Sequence, residues 1–405
     1  MTKTLLIISG GVEAADAVKR AKEMGLDVVC SDINPDAPGF AIADSALIAD
    51  VYGPADTAAA AERFHKKVRK IDGVICVAAD APMTVAAVNQ RLGLKGITTR
   101  TAELACDKLA MKVRFAECGV PVPWFSAVNT AQELMRIVAE KGRDFVIKPV
   151  GSRGSRGVQR LTHVSDLAKA FLFARQHSPT ERVMVEAYLP GPQVSTESVV
   201  VDGVCYTPGF SDRNYEFLDK YAPYFIENGG DLPSHLPSAI QERIKEVQGM
   251  AAAALGVTRG TVKGDIVVHD GQVYVIELAA RLSGGFFCTR EIPLNTGVDF
   301  VGCAIRVALG ENPTAEELTP KYQKHVIQRY AFPKAGKVVA ISGGEAARAI
   351  EGVVEVNVTA KLGDIIPSAG DKRPSAAMVL AMGPTREAAL ASAEAALAQL
   401  RIETR

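Results

Sequence analysis

The segment Phe145-Val-Ile-Lys-Pro-Val-Gly-Ser-Arg-Gly-Ser-Arg-Gly-Val158 places an amine, Lys148, inside an apolar run and follows it at once with three glycines, two serines and two arginines. An apolar run of this kind reads as a buried strand, and a lysine there is costly to bury without an anionic partner. The loop behind it supplies what a phosphate needs. Glycines allow close backbone approach, serine hydroxyls and amides donate, and Lys148 adds a point charge. No Gly-Lys-Ser/Thr follows the glycines, so this is not a Walker A loop. The competing reading is a flexible hairpin loop with a solvated lysine.

The rest of the chain gives this segment a context. The first hundred residues alternate short apolar runs with helical patterns: Leu5–Ile8, a helix over Ala14–Met24, Val28–Cys30 ending at Asp32, and Gly73–Val77. That alternation predicts βαβ units on a parallel sheet. Ser9-Gly10-Gly11 opens the first helix, and Asp32 ends the second strand about 20 residues later, as a ribose-binding acid would. The GxGxxG spacing is absent, which leaves an ordinary α/β turn or a substrate-anion site. A helix is expected near Thr101–Cys118, closed by Pro121 and Pro123. From Phe145 onward, strands joined by Gly-rich turns predict an antiparallel α+β region. A third segment begins near His325, with strands at Val338–Ile341, Val353–Val358 and Ala376–Met382 and a closing helix over Thr385–Leu400.

Composition removes several function classes. Lys plus Arg and Asp plus Glu both total 46 of 405 residues, so no global charge draws the chain to nucleic acid or an anionic membrane. No apolar run nears the ~18 residues of a membrane span, and the start is too brief for a signal-peptide core. The seven cysteines (30, 76, 106, 118, 205, 288, 303) contain no CxxC pair, which predicts reduced thiols in a cytoplasmic protein and no zinc site.

A second chemical signal is Thr261-Val-Lys-Gly-Asp265-Ile-Val-Val-His-Asp-Gly-Gln-Val-Tyr-Val-Ile-Glu277-Leu-Ala-Ala-Arg281, a hairpin turning at His269–Gly271. A two-residue Asp-Gly turn alone puts Asp265 and Glu277 on opposite faces. A three-residue turn closed by a bulge makes them diagonal neighbours on one face. Only a shared face lets both carboxylates hold a hard cation such as Mg²⁺. Arg281-Leu-Ser-Gly-Gly285 then sets a guanidinium and an amide-rich turn beside the acids. The Ser211–Tyr215 and Tyr224–Gly230 stretch, polar, aromatic and glycine-rich, reads as a substrate-side loop.

In this order the motifs resemble the ATP-grasp superfamily, most of all its carboxylate–amine (L-amino-acid) ligase and carbamoyl-phosphate-synthase-like branch. The resemblance implies a mixed α/β and α+β chain. Its parts would be a Rossmann-like domain over 1–100, a two-lobed ATP-binding domain over 101–325 with its lid at about 119–190, and a small C-terminal domain over 326–405. It implies a nucleotide site of Lys108, Lys148, Ser152, Gly154, Ser155, Gly157, Glu186, Ala187, Leu189 and Gln193, with Glu186 at the adenine hinge. Asp265 and Glu277 would hold Mg²⁺ (Mn²⁺ as a substitute). Arg281 and Lys148 would be catalytic, and Arg281, Ser283, Gly284, Gly285 and Glu227 would face the substrate. The implied reaction joins a small carboxylate to an amine through an acyl phosphate, in a cytoplasmic enzyme with a homodimer as its assembly. The alternatives are a ligase using bicarbonate or a nucleotide precursor, and an ATP-binding regulator without catalysis. Two positions depart from the family pattern: Ala279, where many members have a metal-binding asparagine, and Gln193, where a ribose-binding glutamate is usual.

Overall fold

In the computed structural model, which describes residues 2–142, 144–368 and 374–405, a parallel sheet leads the chain. Its order is Ser45–Ile48, Asp27–Asp32, Thr4–Ile8, Gly73–Cys76. The central strand Thr4–Ile8 is buried throughout, as its unbroken apolar run requires. Asp32 is consumed within the first turn: its Oδ2 accepts from the Gly10 amide at 2.8 Å and its Oδ1 from Asn34 at 3.0 Å. The opening glycines therefore form a structural turn, the plainer of the two expectations.

The single helix expected near Thr101–Cys118 is two, Thr99–Cys106 and Lys108–Glu117. Between them Asp107 is extended, and its side chain accepts from the Ala110 amide and from Arg182. An Asp at an N-cap satisfies an orphan amide of the following turn. The break makes Lys108 the first residue of the second helix.

A four-stranded antiparallel lobe follows, in the order Phe125–Val128, Val183–Ala187, Phe145–Pro149, Gln159–Leu161. Helices Ala131–Lys141 and Leu167–Gln176 cover it, and its core is its own, built on Leu134, Ile137, Phe145, Ile147 and Phe171. Of the remaining strands, Ile365–Ile366, Gly336–Ser342 and Arg401–Thr404 form a small three-stranded sheet, and the other eight form one antiparallel sheet. It runs Gln272–Ala279, Gly260–His269, Gln193–Val201, Val204–Arg213, Gly230–Leu232, His325–Ala331, Ala377–Gly383, Val353–Val358. Strands of the C-terminal segment thus extend the sheet that begins at Gln193, and the closing helix Arg386–Gln399 packs on them.

The hairpin carrying the two acids has a two-residue turn, not three. His269 pairs with Gln272, and Asp270 and Gly271 both have positive φ (48° and 72°). Two left-handed central residues favour a type I′ turn, which matches strand twist. The face is corrected elsewhere. Ile266 pairs with Val275 but Asp265 pairs with Glu277, so Ile276 is an extra residue in the strand. This bulge brings the two acids directly opposite each other on one face, rather than diagonally.

Gly191, at φ +140° in the crossing into this sheet, has no room for a side chain: a Cβ there would overlap the Val268 carbonyl oxygen. Gly191→Ala is expected to lower unfolding stability by about 1–3 kcal/mol from the backbone alone. Urea denaturation measures this, and an unchanged midpoint would contradict the close approach.

Candidate active site

Lys148 lies on Phe145–Pro149 opposite Met184, which makes Glu186 its diagonal neighbour on one face. Lys148 is 6% exposed and its Nζ donates to Glu186 Oε1. On the other side Lys112, 1% exposed, places its Nζ 3.1 Å from Glu186 Oε2 and donates to the Val275 carbonyl at 2.8 Å. Burial disfavours the Glu186 carboxylate, but the two ammonium groups outweigh it and hold the group below its ordinary range. Burial pulls Lys112 down to about 8. The Glu186 carboxylate is therefore engaged by two lysines, and the residue lines the smaller of the two cavities at this site. Lys112 stands four residues after Lys108, one helical turn on; that i,i+4 spacing was the signal sequence reasoning left unused.

Lys108 Nζ donates to the Ser152 carbonyl at 2.9 Å and sits 3.3 Å from Glu277 Oε2. Asp265 faces Arg213 at 2.8 Å and also pairs with Lys263. Burial raises the Asp265 carboxyl, yet Arg213 and Lys263 prevail and hold it well below the usual range. Lys108 does the same for Glu277. Both acids are thus ionised at neutral pH, with neighbouring cations removing their mutual repulsion. Arg213 and Lys263 were missed as partners, because nothing local marks which cation reaches a carboxylate across a sheet.

Two cavities meet here. The smaller, about 100 Å³, lies between the lid lobe and the large sheet, and Lys148, Ser152, Ala187, Leu189 and Gln193 are among its walls. The larger, about 420 Å³, is faced by Glu227, Arg281, Ser283, Gly284 and Gly285. Lys108, Gly154, Ser155, Arg213, Asp265 and Glu277 line both. Gly157 lines neither. It holds a left-handed turn (φ +78°) closed against His177 and Pro149.

The Arg281 guanidinium is 3.6 Å from Asp80 of the leading domain. An isolated parallel bridge, Val77 to Leu282, fixes that approach. The expected amide-rich oxyanion turn is partly spoken for: the Ser283 amide donates to Glu197 at 3.2 Å and the Phe286 amide to Glu13 at 2.9 Å. Cys288 is buried, its Sγ donating to the Ser283 carbonyl at 3.1 Å, and burial pushes its thiol well up, which suits a structural role. Among the described residues no helix is long and apolar enough to cross a membrane.

A family model for the ATP-grasp domain matches residues 105–285. This part of the chain is an ATP-grasp domain. A second model, L-amino acid ligase C-terminal domain 2, matches residues 329–405. The y4rH protein of Sinorhizobium fredii is 28% identical over 324 residues, 79% of this chain and 65% of that one. A D-alanine–D-alanine ligase of Desulforudis audaxviator is 27% identical over 186 residues, 43% of this chain and 58% of the ligase. This chain thus spans less than two thirds of the length of these two relatives. An L-amino acid ligase from Bacillus licheniformis superposes with a TM-score of 0.83 at 20% identity, covering 100% of this chain and 99% of that one; that likeness carries the fold.

The residues present suit Mg²⁺. Among the described residues no three or more His, Cys, Asp or Glu side chains gather as a metal site. Asp265 and Glu277 are the two carboxylates that would hold the ion, as a hard cation with oxygen ligands requires.

Two outcomes follow from the buried charges. Glu186→Ala leaves two buried ammonium groups facing each other, an expected loss on the order of 3–5 kcal/mol. Lys112→Met, which leaves Glu186 its bond to Lys148, should lose less; equal losses in urea denaturation would overturn the arrangement. Burial lifts Glu197 from 4.5 to about 7. Its native state holds the proton more tightly than the unfolded chain, so this contribution is complete below pH 4.5 and is lost as pH rises through about 7. Glu197→Gln should flatten stability across that window, and an unaltered slope would argue against a raised Glu197.

Proposed function

We propose that this chain is an ATP-dependent carboxylate–amine ligase that forms an amide or peptide bond and releases ADP and phosphate. The observation that carries the reading is the junction of the two cavities at Lys108, Arg213, Asp265 and Glu277. A triphosphate lying in the smaller cavity along Lys148 and the Ser152–Ser155 loop would end there, against a second chamber sized for organic substrates.

The substrate carboxylate oxygen attacks the γ-phosphorus from the larger cavity, and the bond to the β-phosphate bridging oxygen breaks, giving an acyl phosphate and ADP. The amine nitrogen then attacks the acyl carbon, loses a proton, and the carbon–oxygen bond to phosphate breaks. Lys108, Lys148 and Arg213 offset the charge gathering on the phosphates. Arg281 faces the acyl carbon's developing oxyanion, with Asp80 fixing the guanidinium. Held by Asp265 and Glu277, Mg²⁺ would supply Lewis-acid charge at the phosphate oxygens. Ala187, Leu189 and Gln193 form the base and ribose wall. Glu186 acts through Lys148 as a positioning residue. A 420 Å³ chamber is roomier than bicarbonate requires, which favours the carboxylate–amine reading over the bicarbonate one. The same proposal includes Mn²⁺ as a substitute metal, a homodimer, and a cytoplasmic setting that suits the seven free thiols.

The test is ADP release with ATP, Mg²⁺ and pairs of amino acids, and hydroxylamine as a trap for the acyl phosphate. Release should require a carboxylate, and trapping should yield the hydroxamate. Glu277→Gln should lower the rate roughly 100-fold or more while the hairpin keeps its fold. ADP release that ignores the carboxylate, with no hydroxamate, would reject the ligase.

A further inference from the structure

We propose that Glu291, with Glu227 near it, receives an ammonium group of the substrate in the larger cavity. The inference rests on the ligase reading of that cavity and deepens it.

Glu291 closes the short helical turn Phe287–Glu291 that follows the Gly284–Gly285 turn, so the chain that positions Arg281 also delivers this carboxylate. It is 3% exposed and lines the larger cavity. The charged groups that act on it are Glu227, Asp231, Glu13 and Arg329. Each of those three acids has its own partner. Glu227 pairs with Arg213 at 2.7 Å, Asp231 with Arg329 at 2.6 Å and Arg386 at 3.2 Å, and Glu13 accepts from the Phe286 amide. The Glu291 side chain has no hydrogen bond or ion pair among the described residues; its backbone amide donates to the Phe286 carbonyl at 3.1 Å. Burial and the surrounding acids push its carboxyl well above the ordinary range.

A buried polar group without a partner calls for an explanation, and a carboxylate most of all. The cavity gives one. Lys108, Arg213, Lys263 and Arg281 supply positive charge to its walls, while Glu291 is an acid there whose side chain has no ion pair among the described residues. A molecule bearing both a carboxylate and an ammonium group fits these demands together: its carboxylate faces the γ-phosphate and Arg281, and its ammonium group completes Glu291. A hydrogen bond between two charged groups in such a setting is strong enough to select substrates. A plain carboxylate would leave Glu291 as it is and gain nothing from it.

The experiment pairs each of the twenty amino acids with its desamino carboxylate. Binding is followed by isothermal titration without ATP, and turnover by ADP release with hydroxylamine. The wild-type chain should prefer the amino form about 30- to 100-fold in both affinity and kcat/KM, the scale of a charged hydrogen bond. In Glu291→Gln that ratio should fall below about fivefold, chiefly through binding and KM, and Glu227→Gln should reduce it less. Glu291→Gln should be at least as stable as wild type in urea, since an amide is easier to bury than a carboxylate. A wild-type preference that survives in Glu291→Gln, or no wild-type preference in titration, overturns the inference. Absence of ADP release with every acid overturns the ligase reading instead, and titration still decides the ammonium site.

Discussion

Two carboxylates placed directly across a hairpin repel each other, and much of the architecture around them answers that repulsion. Asp265 and Glu277 are held ionised by cations from separate parts of the chain: Lys108 from the helix after Asp107, Arg213 from a strand two places across the sheet, and Lys263 from the same strand as Asp265. Opposite-charge contacts of this kind bring helix, sheet and loop to one point. They also leave the cations close to where a triphosphate would arrive, so that binding exchanges one set of anions for another without building a new site.

The same logic governs the interior of the cleft. One carboxylate between two lysines, Lys112–Glu186–Lys148, leaves an excess of one positive charge in a place with almost no water. Removing any member changes the balance for the other two, so the three behave as one unit. Lys148, which faces the smaller cavity, is thereby held in place by a partner on the neighbouring strand.

Residue types in the site were legible because their signals are local: a lysine in an apolar strand, glycines behind it, an acid on each arm of a hairpin. The βαβ start, the antiparallel middle and the closing helix followed from periodicity for the same reason. Pairing was not legible. The bulge at Ile276 lies in the uniform apolar run Val-Tyr-Val-Ile, which carries no mark of where a residue is squeezed out of register, so the right face was reached by the wrong turn. The break at Asp107 was hidden inside a sequence that reads as helix on both sides. Engagement of Glu186 by Lys112, and of the Ser283 and Phe286 amides by Glu197 and Glu13, depends on residues tens to hundreds of positions away. The C-terminal strands were expected as strands, but alternation names no neighbour: Val353–Val358 and Ala377–Gly383 complete a sheet begun at Gln193, while Gly336–Ser342 sits in a small sheet of its own.

Among the described residues the lid lobe has a hydrophobic core of its own. Such a lobe could swing as a solid flap with that core closed, parting only peripheral apolar contacts such as the Phe173–Tyr224 and Tyr188–Phe225 ring pairs. What its swing would interrupt near the site is polar: the buried Lys112–Glu186 pair, the Lys108 bond to the Ser152 carbonyl and the stacking of Arg153 on the Tyr52 ring at 4.2 Å. Water replaces the exposed contacts almost without loss, whereas the buried pair is costly to part. A lid over a bound nucleotide would thus be held by one buried pair and a few exchangeable contacts, and it could lift while the large sheet and the chamber beneath it stay put.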